Sequence, residues 1–146
     1  MVNIDETWLP SCDYRTHKWR VRGTRNSLPI QTITPRTNVI AAVDTDGSIF
    51  ISLAQSNTDT AMVMLFLSRL TNAYSRQESN WRERTVFVLD GASYHRSEEA
   101  RRCYAALGLK VVITAPYSYD ASPCELLFAS IKRGNMNPRH IKTGKR

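Results

Sequence analysis

The stretch that decides the fold runs from Val86 to Arg133 and reads VFVLDGASYHRSEEARRCYAALGLKVVITAPYSYDASPCELLFASIKR. A β-branched and aromatic run at 85–89 predicts a central strand, and Asp90 follows at its end. A helix over 97–107 and a second strand over 110–114 come next. This strand–helix–strand order predicts two parallel strands joined by a right-handed crossover.

A further helix is predicted at the end of this stretch, and it carries a second carboxylate. Ser122 and Glu125 form a capping box, with Pro123 in the first helical position, so Glu125 has a purely structural interpretation. Asp90 likewise precedes a glycine and could belong to a turn. Two carboxylates on such elements can also share a metal ion, and both interpretations stay open here.

The first half of the chain predicts an antiparallel region and a third acid. Residues 1–5 alternate as a strand does, so Asp5 is expected at its end, with Glu6 able to stand in for it. Segments 38–43 and 48–53 flank an Asp-Gly turn and predict a β-hairpin. The aspartates between them are interpreted as turn residues.

A buried helix is predicted over 61–76, capped by Thr58-Asp59, and the polar segment 76–84 is predicted to be a connection. A hairpin region, a helix and then parallel strands alternating with helices indicate an α/β fold. The order resembles the RNase H-like arrangement, a mixed five-stranded sheet with three antiparallel strands and then parallel strands. Helices are expected to cover both faces, with the first strand beside the first parallel strand.

Composition favours a polyanionic partner. The 146 residues are 42% hydrophobic and 23% charged, with a net charge of +7, although a merely soluble basic protein has such a charge too. The basic residues concentrate in segments 13–36 and 131–146. Three cysteines without a CxxC spacing indicate neither a disulfide framework nor a zinc knuckle. The longest apolar run, 61–67, is far too short to cross a membrane, and we expect a soluble intracellular protein.

Three sequence blocks resemble those of one enzyme family. VFVLDGASYHRS at 86–97 resembles the "LDNAxxH" block of DDE transposases of the mariner-like and related bacterial insertion-sequence groups. APYSYDASPCELLFASIK at 115–132 resembles their "PxYSPDLNPIExxWxxLK" block. IDET at 4–7 resembles their first-aspartate block, and RVRGT at 20–24 the basic segment after it. Positions 90 and 125 leave 34 residues between them, a separation typical of this superfamily.

By this resemblance Asp5, Asp90 and Glu125 are the catalytic and metal-binding triad, holding Mg²⁺ or Mn²⁺, with two ions expected. The family uses this triad to hydrolyse a phosphodiester at a transposon end and to direct the freed 3′-hydroxyl onto target DNA. His95 matches the family's histidine and is either a residue at the edge of the site or an ordinary structural histidine. Contacts to DNA phosphates are expected from Arg20, Arg22, Lys132 and Arg133, although a solvated surface lysine explains Lys132 equally well.

The chain departs from the family blocks at several positions beside the acids. Asparagine, proline, asparagine, isoleucine and tryptophan of the family are replaced here by Gly91, Tyr119, Ser122, Cys124 and Phe128 respectively. All three acids are present, so the metal site could form. The changed neighbours leave a second hypothesis open, a catalytically inactive or domesticated nucleic-acid-binding module, and a third, a plain RNase H-like nuclease.

The position of Asp5 also bears on domain organisation and partners. We expect residues 1–134 to form the catalytic domain, without the N-terminal helix-turn-helix DNA-binding region of the family, and 135–146 to form a basic tail. The expected partners are transposon-end and target DNA, bound by a homodimer or higher assembly, with no membrane. The expected location is the nucleus in a eukaryote, or the cytoplasm and nucleoid in a bacterium.

Overall fold

The secondary structure comes from a computed structural model that describes residues 1–9, 22–23, 37–55, 57–115 and 122–133. Five strands are present in these segments: β1 (Val2–Leu9), β2 (Thr37–Asp44), β3 (Ile49–Ala54), β4 (Phe87–Leu89) and β5 (Val111–Ile113). The helices there are α1 (Thr60–Gln77), α2 (Trp81–Arg84), α3 (Glu98–Leu107) and α4 (Pro123–Arg133), with a 3₁₀ turn at Ser93–His95.

The strands form one mixed sheet in the order β3-β2-β1-β4-β5. The strands β1, β2 and β3 pair antiparallel, whereas β1 with β4 and β4 with β5 pair parallel. The prediction of a five-stranded sheet with the first strand beside the first parallel strand is confirmed. This order brings the middle of β1 next to the end of β4, where Asp90 leaves the sheet.

The prediction that the first strand ends at Asp5 is wrong, because β1 continues to Leu9. Strand β2 offers a partner along its whole length, from Val2 opposite Asp44 to Leu9 opposite Thr37. Asp5 therefore lies inside the sheet, opposite Ala41. Pairing between distant segments, which the local alternation of residues 1–5 did not reveal, sets the length of this strand.

Each face of the sheet carries its own hydrophobic core, as the prediction of helices on both faces requires. On one face the strand residues Ile4 and Ile40 pack with side chains from α1, α2 and α3. On the other face the buried residues are Leu9, Val39, Ala41, Cys124 and Phe128, the last two from α4. Neighbouring residues of β1 and β2 alternate between these cores because successive side chains in a strand point to opposite faces.

Local turn and cap chemistry agrees with the sequence. In the hairpin turn, Asp44 Oδ1 accepts hydrogen bonds from the backbone N–H groups of Asp46 and Ser48, both at 2.9 Å. Asp59 caps α1 by accepting the Met62 N–H at 2.9 Å. For α3, the cap residue Ser97 accepts the Ala100 N–H at 3.1 Å, and Gly108 ends the helix with φ at 67°. These elements form because residues a few positions apart satisfy one another's backbone groups.

The predicted polar connection at 76–84 contains a short helix and a buried tryptophan. Trp81 is only 2% exposed, and its Nε1 donates a hydrogen bond to Ser75 Oγ at 2.9 Å. Its ring stacks on Tyr74 at 5.6 Å and meets Phe87 edge-on at 6.0 Å between ring centroids. One apolar residue in a polar segment can anchor it to the core, and a periodicity argument does not detect a single position.

Several predictions fall on other parts of the chain. Cys12, Arg20, the boundary at residue 134 and the tail 135–146 lie outside the described residues. Within the described segments, no helix is both long enough and apolar enough to cross a lipid bilayer.

Candidate active site

Strand β1 and the start of α4 together position Asp5. Its Oδ1 accepts the backbone N–H of Glu6 at 2.8 Å, and its Oδ2 accepts the Ser122 hydroxyl at 3.2 Å. Ser122 immediately precedes α4, whose first turn carries Glu125. The first and third acids of the proposed triad are therefore brought to the same face of the sheet.

Asn3 attaches the start of α4 to β1. Its Oδ1 accepts hydrogen bonds from the Ser122 hydroxyl at 2.9 Å and from the Cys124 N–H at 3.2 Å. The buried Cys124 thiol donates to the Asn3 carbonyl at 3.3 Å. The Ser122 side chain faces β1, where it bonds Asn3 and Asp5. The N–H of Glu125 bonds the backbone carbonyl of Ser122 at 3.1 Å and not its hydroxyl. A strand side chain thus caps α4, in place of the predicted capping box, and the Glu125 side chain is exposed.

Burial and neighbouring carboxylates both act on Asp5. The pKa of Asp5 is raised from 3.8 to about 6, mainly by burial and to a smaller extent by the negative charges of Glu6 and Glu125. The hydrogen bonds from the Glu6 N–H and the Ser122 hydroxyl oppose this rise. Because the three carboxylates repel one another, a divalent cation placed among them would lower the electrostatic energy of the charged forms.

The second acid, Asp90, lies in a different cluster. Its Oδ1 accepts the Ala92 N–H at 3.0 Å and lies 3.3 Å from His95 Nε2. The same His95 nitrogen lies 3.3 Å from Oε1 and 3.4 Å from Oε2 of Glu6. The His95 side chain is fully buried and the Glu6 side chain is 7% exposed, whereas that of Asp90 is 51% exposed.

The register of the parallel pair relates these two groups. Val2 lies opposite Phe87, and Asn3 lies opposite Val88. Asp90 follows directly after β4, which ends at Leu89, and Asp5 lies two residues beyond the last residue of β1 that pairs with β4. Asp5 and Glu6 are adjacent in a regular strand, so one side chain meets α4 and the other meets the 3₁₀ turn.

Sequence reasoning considered Glu6 only as a substitute for Asp5, and the structure gives it a place of its own. Tyr94 Oη donates to Glu6 Oε2 at 3.3 Å. Burial, followed by the charges of Glu6 and Asp90, raises the pKa of the Tyr94 phenol, which therefore keeps its proton as a donor. Extending the predicted strand to Leu9 would have placed Glu6 inside it, on the face opposite to Asp5.

The predicted phosphate contacts are only partly within the described residues. Lys132 is exposed, and its Nζ donates to Thr7 Oγ1 at 2.6 Å. Thr7 follows Asp5 by two residues in β1, so this ammonium group lies on the face that carries Asp5. Arg22 is exposed, while the side chains of Arg20 and Arg133 lie outside the described part of the chain.

The donor set fits a hard divalent cation. Carboxylate oxygens are the ligands that Mg²⁺ and Mn²⁺ prefer, and the predicted triad of Asp5, Asp90 and Glu125 would offer three of them. Among the described residues, however, the group whose potential ligand atoms lie within 4.8 Å of one another is Glu6, Asp90 and His95. Burial is the main cause of the raised pKa of Asp5, and a cation beside this carboxylate would offset that cost together with the smaller repulsion from Glu6 and Glu125.

Asp5→Asn is expected to stabilise the metal-free protein at pH 7 by about 1–2 kcal/mol, a value reduced for partial exposure. The folded state binds the proton of the Asp5 carboxyl group more tightly than the unfolded state does, since folding raises the pKa of Asp5 to about 6. The stability of the wild type should therefore fall as the pH rises from about 4 to about 6, and the advantage of the variant should vanish near pH 4. Urea unfolding in EDTA at pH 4 and pH 7 measures it, with Asp46→Asn in the hairpin turn as the control. A destabilising effect at pH 7 would contradict the expectation.

Solved structures with this fold include several of Mos1 transposase. The chain matches a pre-cleavage Mos1 transpososome with a TM-score of 0.69 at 23% identity, over 89% of this chain and 41% of that one. It matches the Mos1 mariner paired end complex with Mn with a TM-score of 0.69 at 26% identity, over 89% of this chain and 40% of that one. The catalytic domain of Mos1 mariner transposase matches with a TM-score of 0.65 at 23% identity, over 89% of this chain and 57% of that one. The predicted RNase H-like arrangement is confirmed, and the chain spans less than half the length of the first two structures.

Sequence comparison gives a family and no individual relative. No curated protein matches the sequence. The profile described as DDE superfamily endonuclease matches residues 1–146, which is the whole chain. This chain belongs to the DDE superfamily endonucleases.

Proposed function

We propose that this chain is the catalytic domain of a DDE-type transposase, with residues 1–134 as the domain and 135–146 as a basic tail. It hydrolyses a phosphodiester at a transposon end and transfers the 3′-hydroxyl into target DNA, with Mg²⁺ or Mn²⁺ as cofactor. The observation that carries this proposal is the match of the DDE superfamily endonuclease profile to the whole chain, and the placement of Asp5 beside the start of α4 supports it. Asp5 lies inside β1, held against the helix of Glu125, and Asp90 directly follows the neighbouring strand β4.

In the proposed mechanism, Asp5, Asp90 and Glu125 hold the metal ions. Two such ions, when bound, activate the attacking oxygen and stabilise the leaving oxygen of an in-line displacement. The Ser122 hydroxyl and the Glu6 N–H keep the Asp5 carboxylate in one orientation. Lys132, on the same face, would contact a DNA phosphate and so position the scissile bond.

Residues that differ from the family blocks have structural roles compatible with an enzyme. Ser122 and Cys124 attach the start of α4 to β1, and Phe128 is 1% exposed in the core beneath that helix. At Gly91 an added Cβ would meet the Thr114 carbonyl at 3.5 Å, an ordinary contact. These differences therefore leave the acids on a well-packed framework, which favours catalysis over a binding module without turnover.

The proposed partners are transposon-end DNA and target DNA, bound by a dimer or larger assembly. The net charge of +7 suits a polyanion. Similar solved structures include a Mos1 paired-end complex with left transposon end and the Mos1 Strand Transfer Complex. Activity would take place where DNA is found, in a nucleus or a bacterial nucleoid.

A plasmid assay tests the proposed activity. Supercoiled DNA incubated with the protein should be nicked in Mg²⁺ or Mn²⁺ and remain intact in EDTA. A labelled oligonucleotide with a free 3′-hydroxyl should become joined to the plasmid under the same conditions. Nicking without joining would favour the plain nuclease, and nicking that persists in EDTA would contradict metal-dependent chemistry.

A further inference from the structure

The cluster of Glu6, Asp90 and His95 contains a buried polar atom that the proposed triad does not use. One potential ligand atom from each of the three residues lies within 4.8 Å of the others. Glu6 Oε1 is buried and has no hydrogen-bond partner. An unpaired buried polar group costs about 1–3 kcal/mol, and more when it is charged. His95 Nε2 lies 3.3 Å from this oxygen, which is too long for a strong hydrogen bond, so a bound cation would satisfy the oxygen better.

The distances from His95 to the two carboxylates fit the ligands of a metal ion. A hydrogen bond between imidazolium and carboxylate is normally about 2.7–2.9 Å long. His95 Nε2 lies at 3.3 Å from both Glu6 Oε1 and Asp90 Oδ1, which is long for such bonds. Adjacent ligands of an octahedral ion with bonds of about 2.1 Å are about 3.0 Å apart, close to the observed separations.

We propose that Glu6, Asp90 and His95 bind a divalent first-row transition-metal ion such as Mn²⁺. The ligands are one oxygen from each carboxylate and Nε2 of the imidazole. A nitrogen ligand favours Mn²⁺, Co²⁺ or Zn²⁺ over Mg²⁺, which prefers oxygen. This inference deepens the proposed function and rests on it at one point: Asp90 belongs both to this cluster and to the proposed triad.

The surrounding residues hold these ligands in place. The Tyr94 hydroxyl bonds Glu6 Oε2 and leaves Oε1 for the ion. Tyr104 Oη donates to the His95 backbone carbonyl at 3.1 Å and fixes the 3₁₀ turn. A hydrogen bond to a ligating side chain, such as that from Tyr94 to Glu6, orients a metal ligand and is worth about 10–100-fold in affinity. The other ring nitrogen of His95, Nδ1, is buried and has no hydrogen-bond partner among the described residues.

An ion also has a route to the cluster. A groove of about 290 Å³ opens at the surface beside it and is lined by residues that include Glu6, Trp8 and Tyr94. Asp90 is half exposed and contributes a ligand from the solvent side. The site therefore combines two buried ligands with an accessible one, and a hydrated ion can enter without unfolding.

Pulsed electron paramagnetic resonance with Mn²⁺ as the probe tests the site. The wild type should show ¹⁴N modulation from a directly bound imidazole, and a 100-fold excess of Mg²⁺ should leave that signal in place. His95→Gln should remove the modulation, and Glu6→Gln should weaken Mn²⁺ binding at this site at least about tenfold. The wild-type measurement stands even where a variant fails to fold. A wild type without ¹⁴N modulation, or modulation that survives in His95→Gln, overturns the inference.

A matched variant separates this inference from the proposed function. Glu125→Gln changes the triad and leaves the three ligands of the cluster intact, so the ¹⁴N modulation should persist while plasmid nicking is lost. Modulation with no nicking in the wild type would retain the metal site and reject the transposase. Nicking without ¹⁴N modulation in the wild type would retain the transposase and reject the metal site at Glu6, Asp90 and His95.

Discussion

Asp90→Asn is expected to lower metal-dependent nicking by at least about a thousandfold. Asparagine keeps the size of the side chain and one of its oxygens, but it removes the negative charge that binds a divalent ion. Metal ions supply several kcal/mol of transition-state stabilisation, and about 4 kcal/mol corresponds to a thousandfold in rate. In the proposed function Asp90 is a triad ligand, and its Oδ1 also lies 3.3 Å from His95 Nε2.

The control for this substitution is Asp46→Asn, which removes an acid from the exposed hairpin turn. It changes the net charge by the same amount and should nick within about twofold of the wild type. Initial nicking rates in Mn²⁺, with thermal unfolding to verify the fold, give the comparison. Activity of Asp90→Asn within tenfold of the wild type would remove Asp90 from the proposed metal site.

The second large effect is expected in the core. Trp81→Ala should destabilise the protein by about 3–5 kcal/mol, since it removes a buried aromatic ring and leaves a cavity. The ring is 2% exposed, contacts Tyr74 and Phe87, and hydrogen-bonds Ser75. For a chain of this length the melting temperature should fall by roughly 10 °C or more.

Trp8→Ala is the matched control, because Trp8 is 51% exposed on β1. Urea titrations of both variants measure the two effects, and the loss of Trp8 should cost under about 1 kcal/mol. Equal destabilisation by the two substitutions would mean that α2 is not anchored through Trp81.

Elements specified by neighbouring residues were predicted correctly. The β2–β3 hairpin depends on Asp44, and α3 depends on Ser97 and Gly108, all within a few residues of the backbone groups that they satisfy. The order of these elements then sufficed for the sheet, because a parallel pair with a helical crossover has few possible arrangements. The family blocks carried the acids and the chemistry associated with them.

Interactions between distant segments were beyond that reasoning. The length of β1 depends on β2, whose paired residues lie 28 to 42 positions further along the chain. The sequence at Ser122 predicts a capping box, but in the folded chain Asn3 of β1 accepts the hydrogen bonds of the Ser122 hydroxyl and the Cys124 N–H. Trp81 looked like part of a polar connection because burial of one residue depends on what packs against it. Each of these contacts is made by groups that only the folded chain brings together.

The stretch from Val86 to Arg133 by itself determined a strand, a helix, a second strand and a final helix, with an acid after the first strand and another in the last helix. Only the tertiary structure decided how Asp5 and Glu6 divide their roles. Because side chains alternate along a strand, one of these adjacent acids meets Ser122 and the other meets His95. Two faces of one strand thereby carry two different sets of candidate metal ligands, with Asp90 at the edge between them.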